Sequence, residues 1–150
     1  MSACITYLSF TVFETGPCTN DTEFEARLRD YALLDYAAKH WGHHARCKEE
    51  TCQEMVLAFL QNNSKVLCAS QVMNVPGYRY SGYSEWFPRS ISGVHVAASF
   101  GMETTVHNLL KSRAEPDLKD SNGRTPLSWA AEGGHLEVVK LLSSNTALPI

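Results

Sequence analysis

Asp120-Ser121-Asn122-Gly123-Arg124-Thr125-Pro126-Leu127-Ser128-Trp129-Ala130-Ala131-Glu132-Gly133-Gly134-His135, with Val138, Val139, Leu141 and Leu142 just beyond, is the stretch that decides the fold. Gly123 suits the tip of a tight hairpin, where a positive φ is needed. Thr125 can cap a helix, and Pro126 at its first position loses only an N–H that has no helical partner. Ala130 and Ala131 are small enough for a neighbouring helix to come close. Gly134 permits the left-handed turn that ends this helix. The Val and Leu positions supply the apolar seam of a second helix.

The same order of residues occurs 33 positions earlier. Ala97-Ala98 falls on Ala130-Ala131, Gly101 on Gly134, Val106 on Val139, Leu109 on Leu142 and Ala114 on Ala147. Ser92 falls on Thr125, and Val94 on Leu127. An ordered run that matches itself at this period resembles the ankyrin repeat. Ala97, Ala98, Gly101, Gly123, Thr125, Pro126, Leu127, Ala130, Ala131 and Gly134 are the residues that define the resemblance. It implies an all-α fold: an N-terminal helical region over residues 1–75, an aromatic loop over 76–90, and a short solenoid of two repeats, approximately 91–119 and 120–147. The implied function is protein–protein interaction through a concave surface of finger tips and inner helices, without catalysis. On that surface the resemblance places Ser121, Asn122, Arg124, Trp129, Glu132 and Gly133 of the second copy, with Ser99 and Phe100 of the first. Phe100, read as an exposed aromatic, is the expected anchor. Trp129 is suited more to packing between repeats than to ligand contact.

The copies also depart from the pattern. Ser128 stands where the family has the His of Thr-Pro-Leu-His, an identity that His95 keeps. Ser143 replaces the last leucine of the outer helix, and Thr146 the usual glycine. The first copy has Ser92-Gly93 for Thr-Pro and Ser90 for the hairpin glycine, as in a degenerate repeat that caps an array. Two copies fall short of the roughly three that a stable array needs. Either the N-terminal helices bury the open face of the first repeat, or the chain is a fragment or truncated gene product. A C-terminal face lined by Val138, Leu141 and Leu142 is then expected to be partly exposed.

The N-terminal half reads as helices. Residues 1–13 are apolar and rich in β-branched and aromatic types, so a strand and a short helix compete there. Thr22 and Glu25 have the spacing of a capping box. Phe24, Leu28, Tyr31, Leu34, Ala38, Trp41 and Ala45 form one stripe at helical spacing, which Gly42 is expected to bend or end. Cys52, Met55, Val56, Phe59 and Leu60 mark a further helix, and Ser64 can cap the next. Pro76-Gly77, Gly82 and Pro88 break the pattern, while Tyr78, Tyr80, Tyr83, Trp86 and Phe87 give this loop apolar area to pack on something.

Cys4-Ile5-Thr6-Tyr7-Leu8-Ser9-Phe10 and Tyr36-Ala37-Ala38-Lys39-His40-Trp41-Gly42-His43-His44-Ala45-Arg46 resemble the helical segment before the array in fungal NACHT-ankyrin proteins, which are NLR-like signalling NTPases. The resemblance implies that the chain spans the junction of regulatory helices and sensor repeats, as an adaptor or a piece of such a protein. No phosphate loop of the Gly-x-x-x-x-Gly-Lys-Ser/Thr type occurs, so nucleotide binding does not carry over.

Composition narrows the remaining classes. Thirteen basic and 16 acidic residues give a net charge of −3, with no cationic footprint for a nucleic-acid backbone. Arg79 and Arg89 are the basic residues beside the tyrosine-rich loop, so stacking on single strands is disfavoured. No apolar run reaches the length of a bilayer span, and the first residues lack a basic signal region. Five cysteines, an odd number without paired Cys-x-x-Cys spacing, read as free thiols in a reducing compartment, so an intracellular, cytoplasmic location is expected. Neither a cofactor nor a small-molecule substrate is expected. His40, His43, His44, Cys47 and Cys52 crowd together and form a weaker zinc-binding alternative, because their spacing matches no standard finger. A hydrolase built on Cys47 or Cys52 with His43 lacks both an oxyanion donor and an orienting third group.

Overall fold

A computed structural model of the chain describes residues 3–46, 49–75 and 80–145. Every regular element among them is helical. In order these are α1 (Ala3–Leu8), a 3-10 turn (Thr11–Thr15), α2 (Asp21–Asp30), α3 (Leu34–Arg46), α4 (Glu49–Leu60), α5 (Asn63–Asn74), a second 3-10 turn (Tyr83–Glu85), α6 (Gly93–Ser99), α7 (Glu103–Lys111), α8 (Pro126–Glu132) and α9 (Leu136–Asn145). The strand alternative for residues 1–13 is thus replaced by a helix and a 3-10 turn, which ends at Gly16 with φ of 78°.

Local chemistry sets the element boundaries, at places slightly different from those the spacing suggests. The cap of α2 is Asn20, not Thr22: its side chain accepts from the Glu23 N–H at 2.8 Å. Glu23 in turn accepts from the Thr19 hydroxyl at 3.0 Å, and Glu25 is drawn away to the Tyr83 hydroxyl, 3.1 Å distant. The long apolar stripe is two helices, not one. Tyr31 leaves the helical region (φ −118°, ψ 78°) and sets its ring edge-on to Phe13 at 5.3 Å. Neither Gly nor Pro marks that break, so the spacing alone could not show it. Asn62, not Ser64, caps α5, accepting from the Lys65 N–H at 3.2 Å.

Trp41 is the centre of the N-terminal half. It is fully buried, with Phe59 of α4 and Phe100 of the first repeat edge-on to it at 5.3 and 5.2 Å. Each such pair adds about 0.5–1.5 kcal/mol beyond the area buried. Gly42 does not end α3, which continues to Arg46. Its missing side chain makes room for the Phe100 ring, which a Cβ at this position would strike.

Two polar clamps fasten the loops to this core. The buried Gln71 amide accepts from the Cys18 N–H (2.8 Å) and donates to the carbonyls of Cys18 (3.0 Å) and Ser84 (2.9 Å). The Asp21 carboxylate accepts from the N–H groups of Gly82 (2.7 Å) and Ser84 (3.0 Å) and from the Ser84 hydroxyl. Tyr83 and Phe87 are buried as a result, whereas Trp86 stays 66% exposed.

α6 and α7 form one helix pair and α8 and α9 the next, stacked through α6 on α8 and α7 on α9. The opposite side of the first pair lies against α4 and α5. One apolar core therefore runs from Ile5 to Leu142, and the N-terminal helices cover the open face of the first repeat. At the far end, Val138 and Leu142 turn inward and are buried, contrary to the exposed face expected of them. Leu136 is the residue left 62% exposed, and Leu141 is half-buried.

Candidate functional site

The site is built where the two helix pairs meet. Ser90 and Gly123, 33 residues apart, both have positive φ, 59° and 79°. The serine thus adopts the hairpin conformation that glycine takes in the second copy, at the steric cost glycine avoids. The two fingers are joined by a reciprocal pair of hydrogen bonds: Ser121 N–H donates to the Arg89 carbonyl (2.8 Å), and Arg89 N–H to the Ser121 hydroxyl (2.7 Å).

Below the fingers, His95 ties one repeat to the next. It is fully buried, with Nδ1 accepting from the Ser92 N–H at 3.1 Å. That leaves Nε2 as the protonated nitrogen, donating to the Arg124 carbonyl at 3.1 Å. Burial pushes its pKa down, although the Arg124 carbonyl and the Asp120 charge pull the other way. At the other end of the inner helices, His135 Nε2 donates to the Ser99 carbonyl at 2.9 Å. A Cβ on Gly133 would come within 2.7 Å of that imidazole, and Gly101 lies against it as well.

Asp120 organises the second finger. Its carboxylate accepts from the Asn122 and Arg124 N–H groups, each at 2.9 Å, and from the Trp129 indole N–H at 3.0 Å. Burial raises its pKa, but those hydrogen bonds and the Arg124 charge outweigh it and hold the carboxyl below its usual range. Arg124 is held from three sides. Its Nε is 3.4 Å from Asp120, its Nη1 is 3.0 Å from Glu132, and its guanidinium carbon stands 5.0 Å above the Trp129 ring.

Ser99, Arg124, Trp129, Glu132 and Gly133 line one cleft of about 260 Å³. Its far wall is Met73 and Asn74 at the end of α5, two residues that sequence spacing did not single out, because the helix that carries them lies outside the repeats. Ser121 and Asn122 sit exposed on the finger above. Phe100 is not an exposed anchor: it is 6% exposed, because the glycine on α3 opens a slot for it. A second cleft of about 330 Å³, between the α4–α5 turn and the first repeat, contains none of the expected residues.

The histidines of the alternative zinc set are divided. His43 stands edge-on to Phe100 at 5.4 Å, whereas His40 and His44 lie with Tyr36. Cys47 and the side chain of Cys52 lie outside the described residues. Among the described residues no three His, Cys, Asp or Glu side chains converge as a metal site, and none of their helices is long and apolar enough to cross a membrane.

Residues 94–148 match a family model described as Ankyrin repeats (3 copies). The chain is similar over 56 residues, at 46% identity, to the E3 ubiquitin-protein ligase Ufd4 of Drosophila melanogaster, covering 35% of this chain and 2% of that protein. It is 42% identical over 60 residues to Acyl-CoA-binding domain-containing protein 2 of Arabidopsis thaliana, covering 38% and 16%. It is 40% identical over 52 residues to Rabankyrin-5 of Mus musculus, covering 35% and 4%. The chain thus spans a small part of each of these relatives. Ankyrin repeats are thus present in the carboxy-terminal part of the chain, where the described residues form two helix pairs and no strand. Such repeats are in general protein-interaction modules.

Proposed function

We propose that the chain is a protein-interaction module whose contact surface is the cleft between the end of α5 and the inner helices, continued upward onto the fingers. The observation that carries this reading is the convergence of Ser99, Arg124, Trp129, Glu132 and Gly133 on one open cleft with Met73 and Asn74. Its wall is mixed: the Met73 thioether offers apolar area over a floor formed by the buried Trp129, while Ser99, Asn74 and the exposed Glu132 carboxylate offer hydrogen bonds. That balance suits a polypeptide segment, with apolar contact at the centre and polar groups at the rim.

The likeness of residues 4–10 and 36–46 to the helices before the array in fungal NACHT-ankyrin proteins supports an NLR-like adaptor, or a piece of such a signalling protein, working inside the cell. Direct packing of α4 on both helices of the first repeat gives those helices a route to sense what the groove holds.

The test is selection of binders from a displayed random-peptide library, followed by measurement of Kd against two variants. Ser99→Trp, which fills the cleft, should weaken the selected peptides about tenfold or more. Lys140→Glu, on the exposed side of α9, should leave them unchanged. Peptides that bind Ser99→Trp as tightly as the parent chain would show that the cleft is not the contact surface.

A further inference from the structure

The exposed face of α3 carries three side chains that neither the core nor the groove uses. Tyr36, His40 and His44 recur every four residues and so stand in line along the helix. All three are exposed. The Tyr36 ring lies beside that of His40, with centroids 4.5 Å apart and planes at 35°. It reaches on toward His44, 6.1 Å between centroids, where Tyr36 Oη and His44 Nε2 are 3.1 Å apart. Lys39, next to His40 in the chain, is paired at 2.8 Å with Asp35. Two imidazoles four residues apart therefore share one exposed line of a single helix, with the Tyr36 phenol oxygen beside the second.

Two histidines four residues apart on a helix present their nitrogens to one ion, as in metal-binding His-Glu-x-x-His helices. Imidazole donors select borderline first-row divalent ions over the hard Mg²⁺ and Ca²⁺. We propose that Tyr36, His40 and His44 form a surface site for a divalent transition-metal ion of the Ni²⁺/Cu²⁺ class. The two imidazole nitrogens and Tyr36 Oη are its donors, and water fills the remaining positions. This set needs neither Cys47 nor Cys52, which the tetrahedral zinc arrangement required. On binding, the Tyr36–His44 hydrogen bond opens and the His44 lone pair turns to the metal. The phenol proton passes to solvent, so uptake of the ion releases a proton.

The experiment is calorimetric titration of the full chain with Ni²⁺, a cation that thiols do not reduce, at about pH 7.5. Runs in buffers of different ionisation heat count the protons released. His40→Ala and His44→Ala should each weaken binding about tenfold or more. Tyr36→Phe should weaken it and abolish the proton release. All three positions are exposed, and unchanged melting without metal verifies that the variants keep the fold. The proposal is overturned if the parent chain binds no Ni²⁺. It is overturned equally if the double variant His40→Ala/His44→Ala binds like the parent, or if Tyr36→Phe changes neither affinity nor proton release.

Discussion

The ring of Phe100, in the first repeat, fills the space that Gly42 leaves open on α3. One missing side chain thereby joins the N-terminal helices to the solenoid. Glycine within a helix costs about 1 kcal/mol relative to alanine, so on propensity alone Gly42→Ala should stabilise the chain. The packing predicts the opposite, a net loss of about 1–3 kcal/mol from overfilling. Phe100→Ala should cost about 3–5 kcal/mol by leaving a cavity. Urea unfolding of both variants and of the double variant checks this. The two effects should be strongly non-additive, because each substitution removes the other's contact. A stabilised Gly42→Ala would show that the ring does not lie there.

His95 makes the inter-repeat contact sensitive to acid. Burial depresses its folded-state pKa, whereas in the unfolded chain it sits near the ordinary value of about 6.5. Between those two values the unfolded state binds more protons than the folded one, so stability rises with pH across that window. The contribution is complete above about pH 6.5 and is lost as pH falls through the lower, folded-state value. Unfolding measured across this range should show the slope, and His95→Gln should flatten it. An equal slope in the variant would assign the effect to other groups.

Asp120 holds three buried or half-buried donors at once. Asp120→Ala should cost about 2–3 kcal/mol, since the donors lose their acceptor in a place water reaches poorly. It should also free the Trp129 indole, whose fluorescence in the native state is the convenient readout. A loss below about 0.5 kcal/mol, the range of an ordinary surface change, would contradict the role given to this carboxylate.

How much of this was legible in the sequence depended on the range of the interaction. The caps at Thr125 and Pro126, the turns at Gly101, Gly123 and Gly134, and the register of 33 residues are local chemistry, and the structure places them as the pattern implies. The burial of Phe100 is not legible locally, because its surroundings are set by Gly42, 58 positions earlier in the chain. Gly42 itself read as a helix weakness when it is a close approach. Met73 and Asn74 carry no signal, since which side of α5 meets the solenoid is a tertiary fact. Asp120 had a faint one, an acid opening an Asn-Gly hairpin. Its bond to Trp129 required the fold.

The cleft bounded by α5, α6 and α8 is the proposed seat of a guest polypeptide. Amide hydrogen exchange of the full chain, with and without a peptide selected for binding, tests it most directly. Slowed exchange confined to residues 73–75, 96–101 and 121–133 is the expected result. Protection that falls instead on α7 and α9, with those three segments unchanged, would contradict it.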